Sequence, residues 1–263
     1  MIRRMDQRGA HIEFSQVDLT YDDGNEQLEA LCGLSFAAQA GDALALIGPS
    51  GCGKSTTLRL TAGLLAPTAG SVTVNDQRVD RPRQSTAFIA QDLGLFPWKT
   101  VLQNAALGLV VRKVPKSEAY DRAHDALQQV GLQGFERAYP KELSGGMRQR
   151  LALARALAMD ADLLLMDEPL SAVDALLRES LQDVLLDLWL TRRHTQMLVT
   201  HSIDEAVYLG TRILVFSKRP ATLLADVHNP NVGRKGWRDS AEFSRLCHEI
   251  RGVLADGRGR EAS

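Results

Sequence analysis

Gly48-Pro49-Ser50-Gly51-Cys52-Gly53-Lys54-Ser55-Thr56 is the stretch on which the fold turns. It follows the apolar run Ala43-Leu44-Ala45-Leu46-Ile47, a buried-strand pattern, and precedes Leu58-Arg59-Leu60-Thr61-Ala62-Gly63-Leu64-Leu65, a helical one. Strand, glycine-rich loop and helix in that order are the setting a phosphate-binding loop requires. Glycines let backbone N–H groups turn inward and approach an anion closely. The helix start behind them adds partial positive charge, worth roughly 0.3–1 kcal/mol per favourable contact. Lys54 supplies a full charge for β- and γ-phosphates, and Ser55 a hydroxyl for Mg²⁺. By average residue usage, a chain of this length matches such a pattern by chance roughly one time in a hundred. A dinucleotide-binding reading fails, because the third glycine of G-x-G-x-x-G falls on Thr56.

Composition sets the frame for this loop. The 263 residues are enough for one large domain or two small lobes, and 44% hydrophobic content can fill a sizeable core. Lys+Arg 31 against Asp+Glu 32 leaves a net charge of -1, so no nucleic-acid partner is expected. Cys32, Cys52 and Cys247 are odd in number, scattered and without metal-ligand spacing, which points to free thiols in a reducing compartment. Cys52 reads as a small residue tolerated in a tight loop rather than as a redox sensor. Arg3-Arg4 has no apolar segment behind it to make a secretory signal. No stretch reaches the ~18 apolar residues of a membrane span. The expectation is a soluble chain that reaches a membrane through a partner.

Along the chain, Ile12-Glu13-Phe14, Val17-Asp18-Leu19 and Leu34-Ser35-Phe36 alternate as strands, with a turn over Asp22-Asp23-Gly24-Asn25. Ser71–Val74, Thr86–Ala90, Asp162–Met166, Met197–Thr200 and Ile213–Phe216 are further strands. Between Val101 and Leu132 the period turns helical. Pro115-Lys116-Ser117-Glu118 opens a helix whose apolar face is Ala119, Ala123, Ala126, Leu127 and Val130, ended by Gly131. Leu177, Leu181, Val184, Leu185 and Leu188 stripe another. Alternating strands and helices predict an α/β fold with a mainly parallel sheet. Past Lys218 the pattern weakens and reads as a modest tail.

Two further stretches carry chemistry. Leu163-Leu164-Leu165-Met166-Asp167-Glu168 is an apolar strand ending in two carboxylates. An Asp-Glu pair at a strand end is ordinarily a cap or a solvated corner. Behind a phosphate loop, Asp167 fits the carboxylate that holds a metal shell, and Glu168 a general base for the attacking water. In Leu143-Ser144-Gly145-Gly146-Met147-Arg148-Gln149, Ser144 is a good N-cap and two glycines free the backbone for an anion at a second helix start.

With these motifs the sequence resembles the ATP-binding cassette family over roughly Ile12 to Phe216, with Leu143–Gln149 similar to its signature motif. The resemblance implies a P-loop NTPase domain over residues 12–241. It has an N-terminal antiparallel β subdomain, a helical subdomain inserted at about 92–158, and a tail at 242–263. It implies ATP and Mg²⁺, with Gln91 as the glutamine that touches metal and water and connects to a transmembrane partner. Ser171-Ala172-Val173-Asp174 resembles the D-loop, with Val173 where leucine is usual; Asp174 joins the nucleotide set. His201 matches the switch histidine at the γ-phosphate, and Tyr21 the aromatic that stacks on adenine. The implied catalytic set is Glu168, His201 and Gln91, and the implied metal set Ser55, Gln91 and Asp167. The implied assembly is a head-to-tail pair of cassettes, with ATP between the P-loop of one and Ser144-Gly145-Gly146 of the other. Permease subunits and, indirectly, a solute-binding protein complete it at the cytoplasmic face of the cell membrane. Leu95-Phe96-Pro97-Trp98-Lys99-Thr100-Val101-Leu102-Gln103-Asn104 is similar to the importers of nitrate, sulfonate, taurine and related anions, and Phe96-Pro97-Trp98 suits a groove for a coupling helix. The competing reading is a soluble cassette ATPase of DNA repair or translation. Those usually carry two cassettes or a long coiled coil, and neither is visible here.

Overall fold

The computed structural model describes residues 9–22, 24 and 26–259. The turn expected over 22–25 falls largely on Asp23 and Asn25, outside the described residues. The strands are β1 Ile12–Asp22, β2 Gln27–Ala38, β3 Ala43–Ile47, β4 Ala69–Val74, β5 Gln77–Arg78, β6 Thr86–Ile89, β7 Leu163–Asp167, β8 Thr195–Val199, β9 Arg212–Phe216 and β10 Leu223–His228. The helices are α1 Lys54–Thr61, α2 Val101–Ala105, α3 Leu107–Val111, α4 Lys116–Gln129, α5 Gly145–Ala158, α6 Ala175–Arg192, α7 Ile203–Leu209 and α8 Ala241–Gly259.

Two sheets form. One is antiparallel with the order β2-β1-β4-β5. Its strands alternate, Ile12, Phe14 and Val17 inward and Glu13 outward, as suits a sheet with one wet face. The other has the order β10-β9-β3-β8-β7-β6, in which β10 alone is antiparallel to its neighbour. Every residue of β3, β7 and β8 is buried. That is why β3 and Leu163–Met166 of β7 read as unbroken apolar runs, a parallel sheet being covered on both faces, while β8 buries Thr195 and Gln196 ahead of its apolar half.

Parallel strands put their carboxyl ends along one edge. The loops after β3, β6, β7 and β8 therefore share that edge, where ligands of open α/β sheets bind. The helices α2 to α5 fill the chain between β6 and β7. Small residues on α4 (Ala119, Ala123, Ala126) and α5 (Ala152, Ala154) are buried, so the two helices approach closely in one core with Leu127, Leu151 and Leu181.

Two elements differ from the sequence pattern. α1 begins at Lys54, four residues before the apolar period, because Gly53 caps it from a left-handed φ of 106°. Beyond Lys218 the chain pairs β10 onto the sheet and then runs α8 against α7. Trp237, Phe243, Cys247 and Ile250 are buried in a third apolar cluster with Ala206, Val207 and Val215. The stretch read as a modest tail is thus a helix whose apolar face, Phe243, Leu246, Cys247, Ile250, Val253 and Leu254, repeats at the ordinary helical period and packs onto the domain.

One buried histidine makes the fold acid-sensitive. His194, just before β8, is 3% exposed, and burial, aided by the Arg192 charge, pushes its pKa down from 6.5 to about 4. The folded state thus disfavours the charged ring. This contribution to stability is complete above about pH 6.5 and is lost as pH falls from there toward about 4. It amounts to about 2 kcal/mol between about pH 7 and pH 5. Urea unfolding at the two pH values should show that loss in the wild type, and His194→Asn should flatten it. An unchanged slope in the variant would assign the acid sensitivity to other groups.

Candidate functional site

The site begins where β3 gives way to the loop 48–53. At Gly48 a Cβ would lie 2.9 Å from the Phe216 carbonyl oxygen, and at Gly53 it would lie 2.7 Å from a Leu31 methyl. No side chain fits at either place, so the loop stays a backbone cradle. The first turn of α1 carries no acidic residue, leaving its N-terminal charge for an anion. The Lys54 ammonium is tucked back over the loop, donating to the carbonyls of Gly48 (2.9 Å) and Pro49 (2.8 Å). Cys52 is buried beneath it. Burial raises its thiol pKa despite the neighbouring Lys54 charge, which suits packing rather than redox sensing. Ser50 to Thr56, Gln91 and Glu168 line one open cleft of about 610 Å³. Tyr21 reaches its margin, its hydroxyl 3.0 Å from Thr56 Oγ1.

The carboxylates enter from β7. Asp167 is buried, and Ser55 Oγ donates to its Oδ1 at 2.9 Å. Burial raises the Asp167 pKa, opposed first by that hydrogen bond. Two cis ligands in an octahedral shell with bonds of about 2.0–2.1 Å lie about 2.9 Å apart, so this hard-oxygen pair fits a Mg²⁺ shell. Glu168 follows with a left-handed φ of 51°, its N–H donating to the Val199 carbonyl at 3.0 Å. The turn brings its carboxylate to 3.5 Å from His201 Nδ1. His201 itself is exposed at the end of β8.

Ser144, Gly145 and Gly146 do not line this cleft. Ser144 caps α5, its Oγ accepting from Met147 N at 3.3 Å. Asp174 does the same for α6, accepting from Leu177 N at 3.0 Å. The starts of α1 and α5 are therefore separate, and that of α5 lies outside the cleft.

Three polar residues supporting these loops, Asn104 and Gln149 buried and Arg155 half-buried, carry no role in the sequence reading. The Asn104 amide donates to the carbonyls of Phe96, Lys99 and Thr100 and accepts from Phe96 N, fixing the loop that presents Trp98. Arg155 bonds the Leu93 and Gly94 carbonyls just upstream. Gln149, on α5, bonds the backbone around Glu168 and Ala172. The signal for Asn104 and Gln149 is a lone amide on the buried face of a helix.

The fold and cleft define a P-loop nucleoside triphosphatase with a second, outlying helix start. The family model described as ABC transporter matches residues 31–171, and the chain belongs to that family. It is 42% identical to the aliphatic sulfonates import ATP-binding protein SsuB of Bacillus cereus, over 85% of this chain and 87% of that protein. It is 38% identical to the nitrate import ATP-binding protein NrtD of Synechocystis, over 95% and 96%. Among solved structures, it resembles the dimeric ATP-binding cassette MJ0796 in a post-hydrolysis state bound to ADP and Pi. There the TM-score is 0.76 at 29% identity, covering 82% of this chain and 98% of the other. The chain is thus an ATP-binding and ATP-hydrolysing cassette.

Proposed function

We propose that this cassette drives a membrane importer of small anions, of the nitrate, sulfonate or taurine kind. The observation that carries the reading is the separation of the two helix starts. The cleft gathers Lys54, Ser55, Gln91 and Glu168, with Asp167 buried behind Ser55, while Ser144-Gly145-Gly146 stands apart from it. A second copy turned head to tail supplies the missing half of each site, so ATP joins the pair. The similarity to sulfonate and nitrate import subunits supports the solute class.

In this reading, residues 12–241 form the working domain, with the helical lobe at about 92–158 and α8 folded onto its sheet. The loop amides 48–53, Lys54, Ser55 and Thr56 bind the phosphates, and Tyr21 borders the base. Ser55, Asp167 and Gln91 hold Mg²⁺, which neutralises phosphate charge when bound. Glu168 takes a proton from the attacking water, and His201 stands beside it toward the γ-phosphate. Asp174 fixes the D-loop at the pair's interface.

Trp98, 68% exposed and edge-on to Phe96 at 5.2 Å, offers the apolar landing for a permease helix. No helix among the described residues is long and apolar enough to cross a membrane. Attachment at the cytoplasmic face is through that permease. The test is purification from detergent-solubilised membranes. Recovery with a multi-span protein in equal amounts, and ATPase activity raised by a candidate anion with its binding protein, are expected. Recovery with ribosomes or DNA would move the reading to repair or translation.

A further inference from the structure

Glu168 sits in a backbone conformation that L-residues rarely adopt, and such a residue persists only where its surroundings hold it. Its N–H is held by Val199. Its carbonyl oxygen accepts from Gln149 Nε2 at 3.3 Å and from Ser171 Oγ at 3.1 Å. The same Gln149 amide donates to Ser171 Oγ at 3.0 Å, and its Oε1 accepts from Ala172 N at 2.9 Å. Gln149 is 5% exposed, so water does not replace these bonds. It lies in α5, the helix capped by Ser144. A Cβ on Gly146 of that helix would stand 3.5 Å from the Ala172 carbonyl, so helix start and D-loop are in contact as well.

We propose that Gln149 is a positioning residue: it holds Glu168 in its left-handed turn and ties that turn to the helix whose start binds phosphate across the pair. The inference rests on the reading of Glu168 as the base and of Ser144–Gly146 as a phosphate site. The consequence is mechanical. Each chain binds one ATP with its cleft and another with its α5 start. Gln149 is the short rigid link through which engagement at the second sets the carboxylate at the first.

The test uses the full chain with Q149E and Q149A. Q149E keeps the length of the side chain and the acceptor for Ala172 N but removes the donor to the Glu168 carbonyl. Expected are a fall in kcat of at least about tenfold and ATP affinity within about twofold of wild type, both measured below the variants' melting transitions, which the unpaired buried groups lower. In a Glu168→Gln background, Q149E should change the residual rate by less than about twofold, because both act through one carboxylate. Retained kcat in Q149E, or a full further loss in the double variant, would overturn the proposal. So would a loss of ATP affinity in both Gln149 variants that matches the loss of kcat, which marks plain structural support. Near-normal turnover in Glu168→Gln alone is the separate failure of the base assignment, and it overturns the proposal with it.

Discussion

Glu168→Gln is expected to bind ATP as tightly as wild type and to hydrolyse it about 10²-fold more slowly or worse, the usual scale for losing a general base. The amide matches the carboxylate in size, so the left-handed backbone and its bonds to Val199 and Gln149 have no reason to change. What disappears is the group that can accept a proton. In the proposed reading the groups for phosphate and metal are elsewhere on the sheet edge: Lys54 and Ser55 on α1, and, for the metal, Asp167 one residue back and bonded to Ser55 at 2.9 Å. Phosphate release measured beside calorimetric ATP binding separates the two effects. In the head-to-tail reading the variant should also stay paired in ATP, which size-exclusion chromatography reports. Turnover near wild type would take the base role from Glu168 and leave His201, 3.5 Å away, as the group to test next.

The central architecture was legible from sequence because a parallel sheet writes itself as apolar runs. Ala43–Ile47 and Leu163–Met166 are buried throughout, and each ends at the motif it presents. Capping chemistry marked Ser144, whose hydroxyl does cap α5. Local patterns fell short where the decisive partner is distant in sequence. The bond from Gln149 to Glu168 spans α5, β7 and the turn between them, and although Gln149 closes the signature-like stretch Leu143–Gln149, nothing local points to that partner. Asn104 is similar: its amide closes the loop from Phe96 to Thr100 by filling three carbonyls, a task no periodicity expresses. The C-terminal stretch was under-read for another reason. Phe243, Cys247 and Ile250 give α8 a buried stripe at i, i+4 and i+7, so the helical period is present in the sequence there, and what it does not express is the distant partner surface on α7 and β9. Tyr21 lay within reach of the phosphate loop only once β1 and α1 were packed, with its hydroxyl at Thr56.

Lys54→Ala should lose most of the ATP affinity, by about 10- to 10²-fold, the equivalent of one charge-assisted hydrogen bond of about 1.5–3 kcal/mol. Lys54 is 7% exposed, and its ammonium rests on the carbonyls of Gly48 and Pro49, at 2.9 and 2.8 Å. That contact arches the side chain over the cradle instead of letting it trail into solvent, so its charge is already oriented where phosphates enter. Loop amides and the α1 start contribute partial charges only. Lys54 is the full positive charge on the P-loop, Glu168 lines the same cleft with a negative one, and Asp167 lies buried just behind Ser55. Removing it leaves a triphosphate to meet carboxylates with partial charges and Mg²⁺ alone. The loop itself should survive, since its shape is set by Gly48 against Phe216 and Gly53 against Leu31, and a melting curve near that of wild type checks this. Calorimetry with ATP in the presence of Mg²⁺ is the deciding measurement. Unchanged affinity in a folded Lys54→Ala protein would mean that the nucleotide is held somewhere other than the loop at 48–56.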